Sequence, residues 1–318
     1  MEQMMRGVYV VMQTPYTNAG DVDVPGLRRL VELTIQAGCH GIVSTVNAGE
    51  CSLLNDEERR LAVETIYEQT AGRVPIVVGI SGKSDEQGVQ YAKHAQSIGA
   101  AGIMSMPPYV AKCTPPEAIA YYKKVDDAVD IPFFIQNFFA PLGTPLTTRQ
   151  LYSIISECRN VKYIKEESGC PSRVITELWD MLEKDPIERF QGFFCGLGGN
   201  MMLHEISRGC CGVMPAPYLT DIFVDLWNLI DAGEIEKARN LHLNLMPLLV
   251  YDGVFTISAW KAISCYRGLI DNPAIRRGGY AVLDEDNMKE IDGYMQRLEP
   301  YLRTGLKPKL ASEIGGAL

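Results

Sequence analysis

Two residues near the middle of the chain, Lys165 and Glu167, have the side chains that imine chemistry needs. A neutral lysine amine attacks a ketone to form a Schiff base, and a carboxylate beside that imine can move protons. The run Val161–Lys165 has the alternation of a strand, so Lys165 and Glu167 share one face and Glu166 lies on the other. If that face is apolar, desolvation favours the neutral amine. Strand context alone leaves a second interpretation open, in which both residues form only an ordinary salt bridge.

Eight short apolar runs, most of them followed by an amphipathic helical pattern, are the elements that would position these side chains. Most of the runs are apolar throughout rather than alternating, which is typical of strands covered on both faces. Four helix starts between them fit a capping box, with a side chain and a backbone N–H bonded reciprocally. The runs are Gly7–Met12, Gly41–Thr45, Pro75–Ile80, Ala101–Met106, Pro132–Gln136, Val161–Lys165, Gln191–Cys195 and Gly212–Pro215. The boxes pair Asn55 with Glu58, Ser84 with Gln87, Thr114 with Glu117 and Thr147 with Gln150.

Eight repeats of strand and helix predict an α/β fold, a (β/α)8 TIM barrel over residues 1–230. A doubly wound open sheet is the alternative, but no Gly-x-Gly-x-x-Gly motif follows the first run. Residues 231–318 contain helical patterns only and predict a C-terminal helical extension packed on the barrel. Its last helix has an apolar seam that we expect to pack on the barrel or on a second copy. The seam consists of Met288, Ile291, Met295, Leu298 and Leu302.

A TIM barrel carries its active site at the carboxyl ends of its strands, so strand-end residues are the candidates. Glu50 is either a second carboxylate at the mouth or a helix-cap or inter-subunit contact. Tyr109 orients Glu167, binds substrate hydroxyls or only walls the pocket. The loop Gly196–Gly199 either holds an anion with its backbone N–H groups or is a flexible turn. The candidate substrate-binding residues are Asn47, Ala48, Gly49, Glu50, Tyr109, Asn137, Gly196 and Met214, and Gln136 joins Lys165 and Glu167 as catalytic.

The order of these motifs resembles the Schiff-base aldolase and dehydratase superfamily of dihydrodipicolinate synthase and N-acetylneuraminate lyase. The resemblance covers nearly the whole chain, and the family's imine-forming lysine falls on Lys165. Its motifs are Thr14-Pro15-Tyr16, Gly49-Glu50 with Leu54-Asn55-Asp56-Glu57-Glu58, Pro107-Pro108-Tyr109, Asn137, Gly143 and Ile164-Lys165-Glu166.

Departures from that pattern point to one branch of the superfamily. Where synthase and lyase members usually have two Thr or Ser residues, this chain has Asn47 and Ala48. Gln136 occupies the position of their proton-carrying tyrosine, and Pro141 occupies the position of an arginine in the synthase. Members resembling L-2-keto-3-deoxyarabonate dehydratase share more of the motifs, although an acidic residue is expected there at Asn137. The shared motifs are Asn47 with Glu50, Met106-Pro107-Pro108-Tyr109, Gln136, Lys165-Glu166-Glu167 and Ala140-Pro141-x-Gly143-Thr144.

The resemblance implies a lyase that forms an imine between Lys165 and a 2-keto acid and dehydrates a 2-keto-3-deoxy sugar acid. Glu167 would remove the C3 proton, and the C4 hydroxyl would leave as water, with no metal or organic cofactor. A pyruvate-releasing aldolase acting on such a sugar acid or a sialic-acid-like substrate is the first alternative, although Gln136 favours dehydration. The second is a non-catalytic, keto-acid-binding or regulatory barrel.

The composition limits the partners and the compartment. With 30 Lys and Arg against 39 Asp and Glu the net charge is −9, which argues against nucleic-acid binding. No apolar run is long enough to span a membrane, and no signal peptide is recognised. Nine scattered cysteines, without a Cys-x-x-Cys pair, indicate reduced thiols in a cytoplasmic protein. Cys51 lacks a histidine partner and is a weak candidate nucleophile. We expect a small-molecule substrate and a homo-oligomer, a tetramer or dimer.

Overall fold

The eight predicted strands form a closed parallel barrel in which they follow one another in sequence order. The computed structural model describes residues 4–110, 113–139, 143–276 and 281–304. The (β/α)8 fold class is therefore confirmed. The strands are β1 (Gly7–Val11), β2 (Gly41–Ser44), β3 (Ile76–Gly79), β4 (Gly102–Ser105), β5 (Phe133–Phe138), β6 (Val161–Glu167), β7 (Gly192–Cys195) and β8 (Cys210–Val213).

Eleven α-helices lie within the described residues. They are α1 (Val24–Gln36), α2 (Asp56–Thr70), α3 (Asp85–Ser97), α4 (Pro115–Asp126), α5 (Thr148–Glu157), α6 (Pro171–Lys184), α7 (Met202–Ile206), α8 (Thr220–Asp231), α9 (Ile235–Phe255), α10 (Ile257–Tyr266) and α11 (Glu285–Leu298). Short 3₁₀ turns, among them Asn47–Gly49 and Leu197–Gly199, follow several strands.

Capping side chains begin the helices largely as the sequence predicts. Complete capping boxes start α2, α4 and α5, because each N-cap side chain and each N3 side chain finds its backbone partner. Helix α3 differs in one bond. Ser84 accepts from the Gln87 N–H, but the Gln87 amide oxygen accepts from Lys83 N instead of closing back on Ser84.

The backbone contacts divide the chain into two compact units. The first comprises Pro75–Met214 with Met1–Arg6, and it carries β3 to β8 and α3 to α7. The second comprises Gly7–Val74 and Pro215–Leu318, and it carries β1, β2, α1, α2 and the last four helices. The domain boundary expected at residue 230 stays a prediction.

The apolar seam of α11 is covered within the second unit. Met288, Ile291, Met295 and Leu298 are buried, and α11 packs against α9. Because the chain itself occupies this face, the seam gives no support for a second copy there. The homo-oligomer therefore stays a prediction that rests on the resemblance alone.

Candidate active site

The carboxyl ends of β5 and β6 bring the predicted catalytic residues together. Gln136 lies opposite Lys165 in the strand register, and Phe138 lies opposite Glu167. The Lys165 Nζ atom is 3.0 Å from Glu167 Oε1, with 6 % and 5 % of the two side chains exposed. Residues two apart on a strand share a face, which is why the ammonium and the carboxylate meet.

Aromatic rings pack on the face that carries Lys165. Phe134 stacks on Tyr163 at 4.4 Å between ring centroids, and Phe194 meets both rings edge-on. All three rings are buried, so they exclude water from the strand segments that precede the amine. In such surroundings a charged amine needs a partner, and Glu167 supplies it.

The Glu167 carboxylate is held by donors from three strand ends. Its Oε2 accepts from Gln136 Nε2 at 2.7 Å, and its Oε1 accepts from the Leu197 backbone N–H at 3.0 Å. Together with the Lys165 ion pair, these contacts fix both oxygens of the carboxylate. A carboxylate held in this way is positioned to exchange a proton with a group bound to the amine.

The loop after β7 is shaped around Glu167. A Cβ atom on Gly196 would lie 2.0 Å from Glu167 Cγ, so only glycine fits at that position. Leu197, Gly198 and Gly199 follow with φ values of 49°, 67° and 84°. This tight turn leaves the Leu197 N–H directed at an oxygen of Glu167, and backbone N–H groups of turns favour anions. The anion that the Leu197 N–H binds is the chain's own carboxylate.

Glu166 and Asn137 form a second polar pair on the opposite face of the same two strands. Asn137 Nδ2 donates to Glu166 Oε2 at 2.8 Å, and Ser168 N donates to Glu166 Oε1 at 2.7 Å. The Asn137 oxygen accepts from Leu146 N. Burial raises the pKa of Glu166 to about 7 against the opposing effect of these hydrogen bonds. Since the Asn137 amide is engaged by the protein, its predicted role in binding substrate stays a prediction.

A third buried carboxyl, Glu205 on α7, lies near the same site. It is 2 % exposed, and no described residue hydrogen-bonds its Oε2 atom. Burial raises its pKa to about 7, the Cys195 thiol acts in the opposite direction, and the charge of Glu167 adds to the rise. The sequence gives no signal for this residue, because α7 is only five residues long and Glu205 lies in no recognised motif.

Glu50, predicted to bind substrate, lies in the second unit and forms a different Lys–Glu pair. Its Oε1 is 2.6 Å from Lys261 Nζ, and both side chains are fully buried. Lys261 also donates to Ala274 O at 2.7 Å, and Arg276 N donates to Glu50 Oε2. Burial lowers the pKa of Lys261 to about 8 against the opposing charge of Glu50. Tyr16 completes this environment, with its ring centroid 4.0 Å from the amine.

The remaining predicted substrate ligands stay predictions, although their positions are clear. Asn47, Ala48 and Gly49 form the 3₁₀ turn after β2, which Thr14 Oγ1 ties down through Gly49 O. Tyr109 is partly buried beyond β4, and Met214 is buried directly after β8. Ala140 and Pro141 lie outside the described residues.

Sequence reasoning missed two contacts that hold these carboxylates. The Leu197 N–H is a backbone group, so the residue type at this position does not indicate that it binds a carboxylate. Lys261 does leave a signal, because it is the only charged residue within α10, a helix whose other residues are apolar or neutral. A lone charge in such a helix indicates a buried partner, but not which one.

The cysteines and other potential metal ligands form no further site in the described chain. All nine cysteines are free thiols, and seven of them are buried. Burial raises the pKa of the Cys51 thiol, which opposes nucleophilic use. Among the described residues no group of three or more His, Cys, Asp or Glu could hold a metal ion. None of the described helices is long and apolar enough to cross a membrane.

Comparisons with known proteins bear on the family and the fold. The family model of the dihydrodipicolinate synthetase family matches residues 4–292. An L-2-keto-3-deoxyarabonate dehydratase from Azospirillum brasilense is 30 % identical over 302 residues, 93 % of this chain and 95 % of that protein. A 4-hydroxy-tetrahydrodipicolinate synthase from Trichlorobacter lovleyi is 30 % identical over 253 residues, 77 % of this chain and 82 % of its own. The crystal structure of dihydrodipicolinate synthase from Rhodopseudomonas palustris superposes with a TM-score of 0.84 at 25 % identity, covering 92 % of this chain and 97 % of that one.

Proposed function

The chain belongs to the dihydrodipicolinate synthetase family, a family of lyases, and we propose that it dehydrates a 2-keto-3-deoxy sugar acid through an imine on Lys165. The observation that carries the proposal is the buried Lys165–Glu167 pair, whose carboxylate is also held by Gln136 and Leu197. The match to an L-2-keto-3-deoxyarabonate dehydratase over nearly the whole length of both chains supports the sugar-acid substrate. We propose that neither a metal nor an organic cofactor takes part.

The reaction would begin at the amine. Lys165 Nζ transfers a proton to Glu167 Oε1, 3.0 Å away, and the neutral amine adds to the C2 carbonyl. The carbonyl oxygen leaves as water with one proton from the amine and the proton that Glu167 returns, so a protonated imine and the Glu167 carboxylate remain. This cation withdraws electrons from C3, so the C3 hydrogens become acidic.

Water would then be lost from C3 and C4. The Glu167 carboxylate takes a proton from C3, and the electron pair of that bond forms the enamine. The enamine expels the C4 oxygen, which leaves as water with the proton that Glu167 returns. The nitrogen lone pair drives this step, so the imine is restored and hydrolysis releases the dehydrated keto acid from Lys165.

Borohydride trapping tests the first step. We expect incubation with pyruvate and borohydride to add the mass of a reduced pyruvate imine, and peptide mapping to place it on Lys165. Product analysis with 2-keto-3-deoxy sugar acids then separates the outcomes. A dehydrated keto acid supports the proposal, released pyruvate identifies an aldolase, and the absence of any adduct on Lys165 rejects the imine.

A further inference from the structure

The orientation of the Gln136 side-chain amide is set by its neighbour. An ionised carboxylate only accepts hydrogen bonds, so the amide nitrogen must be the atom that faces Glu167. Nε2 does lie 2.7 Å from Glu167 Oε2. The oxygen Oε1 is therefore turned away from the carboxylate, because the hydrogen bond to Glu167 fixes the orientation of the amide.

That oxygen is buried and has no donor within the described part of the chain. Gln136 as a whole is 2 % exposed, so bulk water does not replace the missing partner. A buried acceptor without a donor costs free energy, and such groups in native proteins have a reason to be there. In an active site, the reason is a donor on the bound substrate.

The register between β5 and β6 indicates where on the substrate this donor lies. Gln136 is the strand partner of Lys165, so its amide is beside the amine that binds C2 of a keto acid. The same amide is hydrogen-bonded to Glu167, the base proposed for C3. The next carbon along the chain is C4, which carries the hydroxyl that leaves.

We propose that Gln136 Oε1 accepts a hydrogen bond from the C4 hydroxyl of the substrate and thereby commits the enzyme to dehydration. This inference rests on the proposed function. To leave as water, the C4 oxygen must keep its own hydrogen and gain a second one from Glu167. To cleave C3–C4, it must instead give its hydrogen to a base. An amide oxygen accepts a hydrogen bond but is too weakly basic to take the proton, so Gln136 keeps the hydroxyl intact for its departure.

A comparison of two reactions on the same imine tests this role. Exchange of the pyruvate methyl hydrogens with D₂O needs Lys165 and Glu167 but involves no hydroxyl, whereas water loss from D- and L-2-keto-3-deoxypentonate needs all three groups. Both are followed by proton NMR with wild type, Gln136→Met and Gln136→Leu. Two variants of similar volume are used so that a folding failure in one does not decide the result.

We expect water loss to fall by about 100-fold or more in the variants, and exchange by less than about 10-fold. Equal falls in both reactions would overturn the proposal, because Gln136 would then act only by positioning Glu167. Exchange in the wild type without water loss from either pentonate would also overturn it. If the wild type shows neither exchange nor a borohydride adduct, the proposed function itself fails, and this inference fails with it.

Discussion

Two buried lysine–glutamate pairs lie within the described residues, one in each compact unit, and they differ in what surrounds them. The pair Lys165–Glu167 lies at a separation of 3.0 Å with 6 % and 5 % of the side chains exposed. The pair Lys261–Glu50 lies at 2.6 Å and is completely buried. The same two residue types therefore form one pair that is slightly exposed to solvent and one pair that is fully buried.

The difference in partners explains why only the first pair is suited to chemistry. In the first pair, protein donors hold Glu167, while within the described part of the chain the amine has only that carboxylate as a charged partner. In the second pair the amine is occupied as well, by Ala274 O and the ring of Tyr16. An amine must be released to attack a ketone, and full occupation prevents that. Burial of an ion pair is therefore not by itself a sign of an active site.

Replacement of the two lysines gives the largest expected contrast. We expect Lys165→Met to lower turnover by about 10⁴-fold or more, since the thioether cannot form the imine proposed for this position. Its fold should persist at lower stability, because Gln136 and the Leu197 N–H still hydrogen-bond the Glu167 carboxylate that has lost its counter-charge. Turnover and borohydride adducts are measured beside a urea titration. Lys261→Met is the matched control. If it lowered turnover as much as Lys165→Met without unfolding the protein, the assignment of the chemistry to Lys165 and Glu167 would be wrong.

Removal of the base sharpens the comparison inside the first pair. We expect Glu167→Gln to lower turnover by about 10²–10⁴-fold, because an amide of the same shape cannot carry the proton. The pyruvate adduct on Lys165 should still form, although more slowly, because trapping needs no C3 chemistry but Glu167 no longer takes the proton of the amine. Glu166→Gln is the control on the opposite face of β6. A larger loss from Glu166 than from Glu167 would reverse the assigned roles.

Removal of the acid from the enclosed pair should affect folding instead. Glu50→Gln leaves Lys261 buried without a counter-charge, and we expect the free energy of unfolding to fall by about 3–5 kcal/mol. Glu58→Gln is the control, because its ion pair with Arg276 is about a quarter exposed and should contribute at most about 1 kcal/mol. Urea denaturation measures both. Equal losses of unfolding free energy in Glu50→Gln and Glu58→Gln would mean that burial does not make the Lys261–Glu50 pair more important than the partly exposed Arg276–Glu58 pair.

The sequence predicts the strands and the first pair well for a physical reason. Strands buried on both faces remain as uninterrupted apolar runs, and residues two apart must share a face, so Lys165 and Glu167 fall together. The sequence pattern ends β5 and β6 two residues too early, at Gln136 and Lys165 instead of Phe138 and Glu167. These strands continue through Asn137 and Glu166, polar residues that satisfy each other across the ladder. Such pairing is a property of two segments and cannot be inferred from either one.

The second pair was beyond sequence reasoning for the same reason. Glu50 precedes a helix start and could equally be a cap, a contact or a ligand, and nothing near it in sequence names its partner. Lys261 lies far along the chain, and only the fold joins the two. One-dimensional patterns thus predict periodic burial well, but they do not identify long-range partners of single polar residues.

Titration of stability gives the smallest and most specific test of the comparison. Near the first pair, Glu205 has a pKa of about 7 in the folded chain against 4.5 ordinarily. The folded protein therefore holds a proton that the unfolded chain releases, and stability falls as pH rises from about 4.5 to 7. In the second pair, Lys261 has a pKa of about 8 against 10.5. Here the unfolded chain holds the extra proton, so stability rises between about 8 and 10.5.

The Glu205 carboxyl and the Lys261 amine should therefore contribute to the pH dependence of stability with opposite signs, in separate pH windows. We expect Glu205→Gln to reduce the lower slope, to which the buried carboxyls of Glu166 and Asp252 also contribute because burial raises their pKa values to about 7 as well. We expect Lys261→Met to reduce the upper slope, and each change to amount to about 1–3 kcal/mol across its window. Urea denaturation at intervals between pH 4.5 and 10.5 measures both slopes. Each variant is the control for the other, because neither substitution should change the slope of stability in the pH window of the other group. If Glu205→Gln altered only the upper window, the lower slope would not arise from that carboxyl, and the electrostatic contrast between the two regions would be wrong.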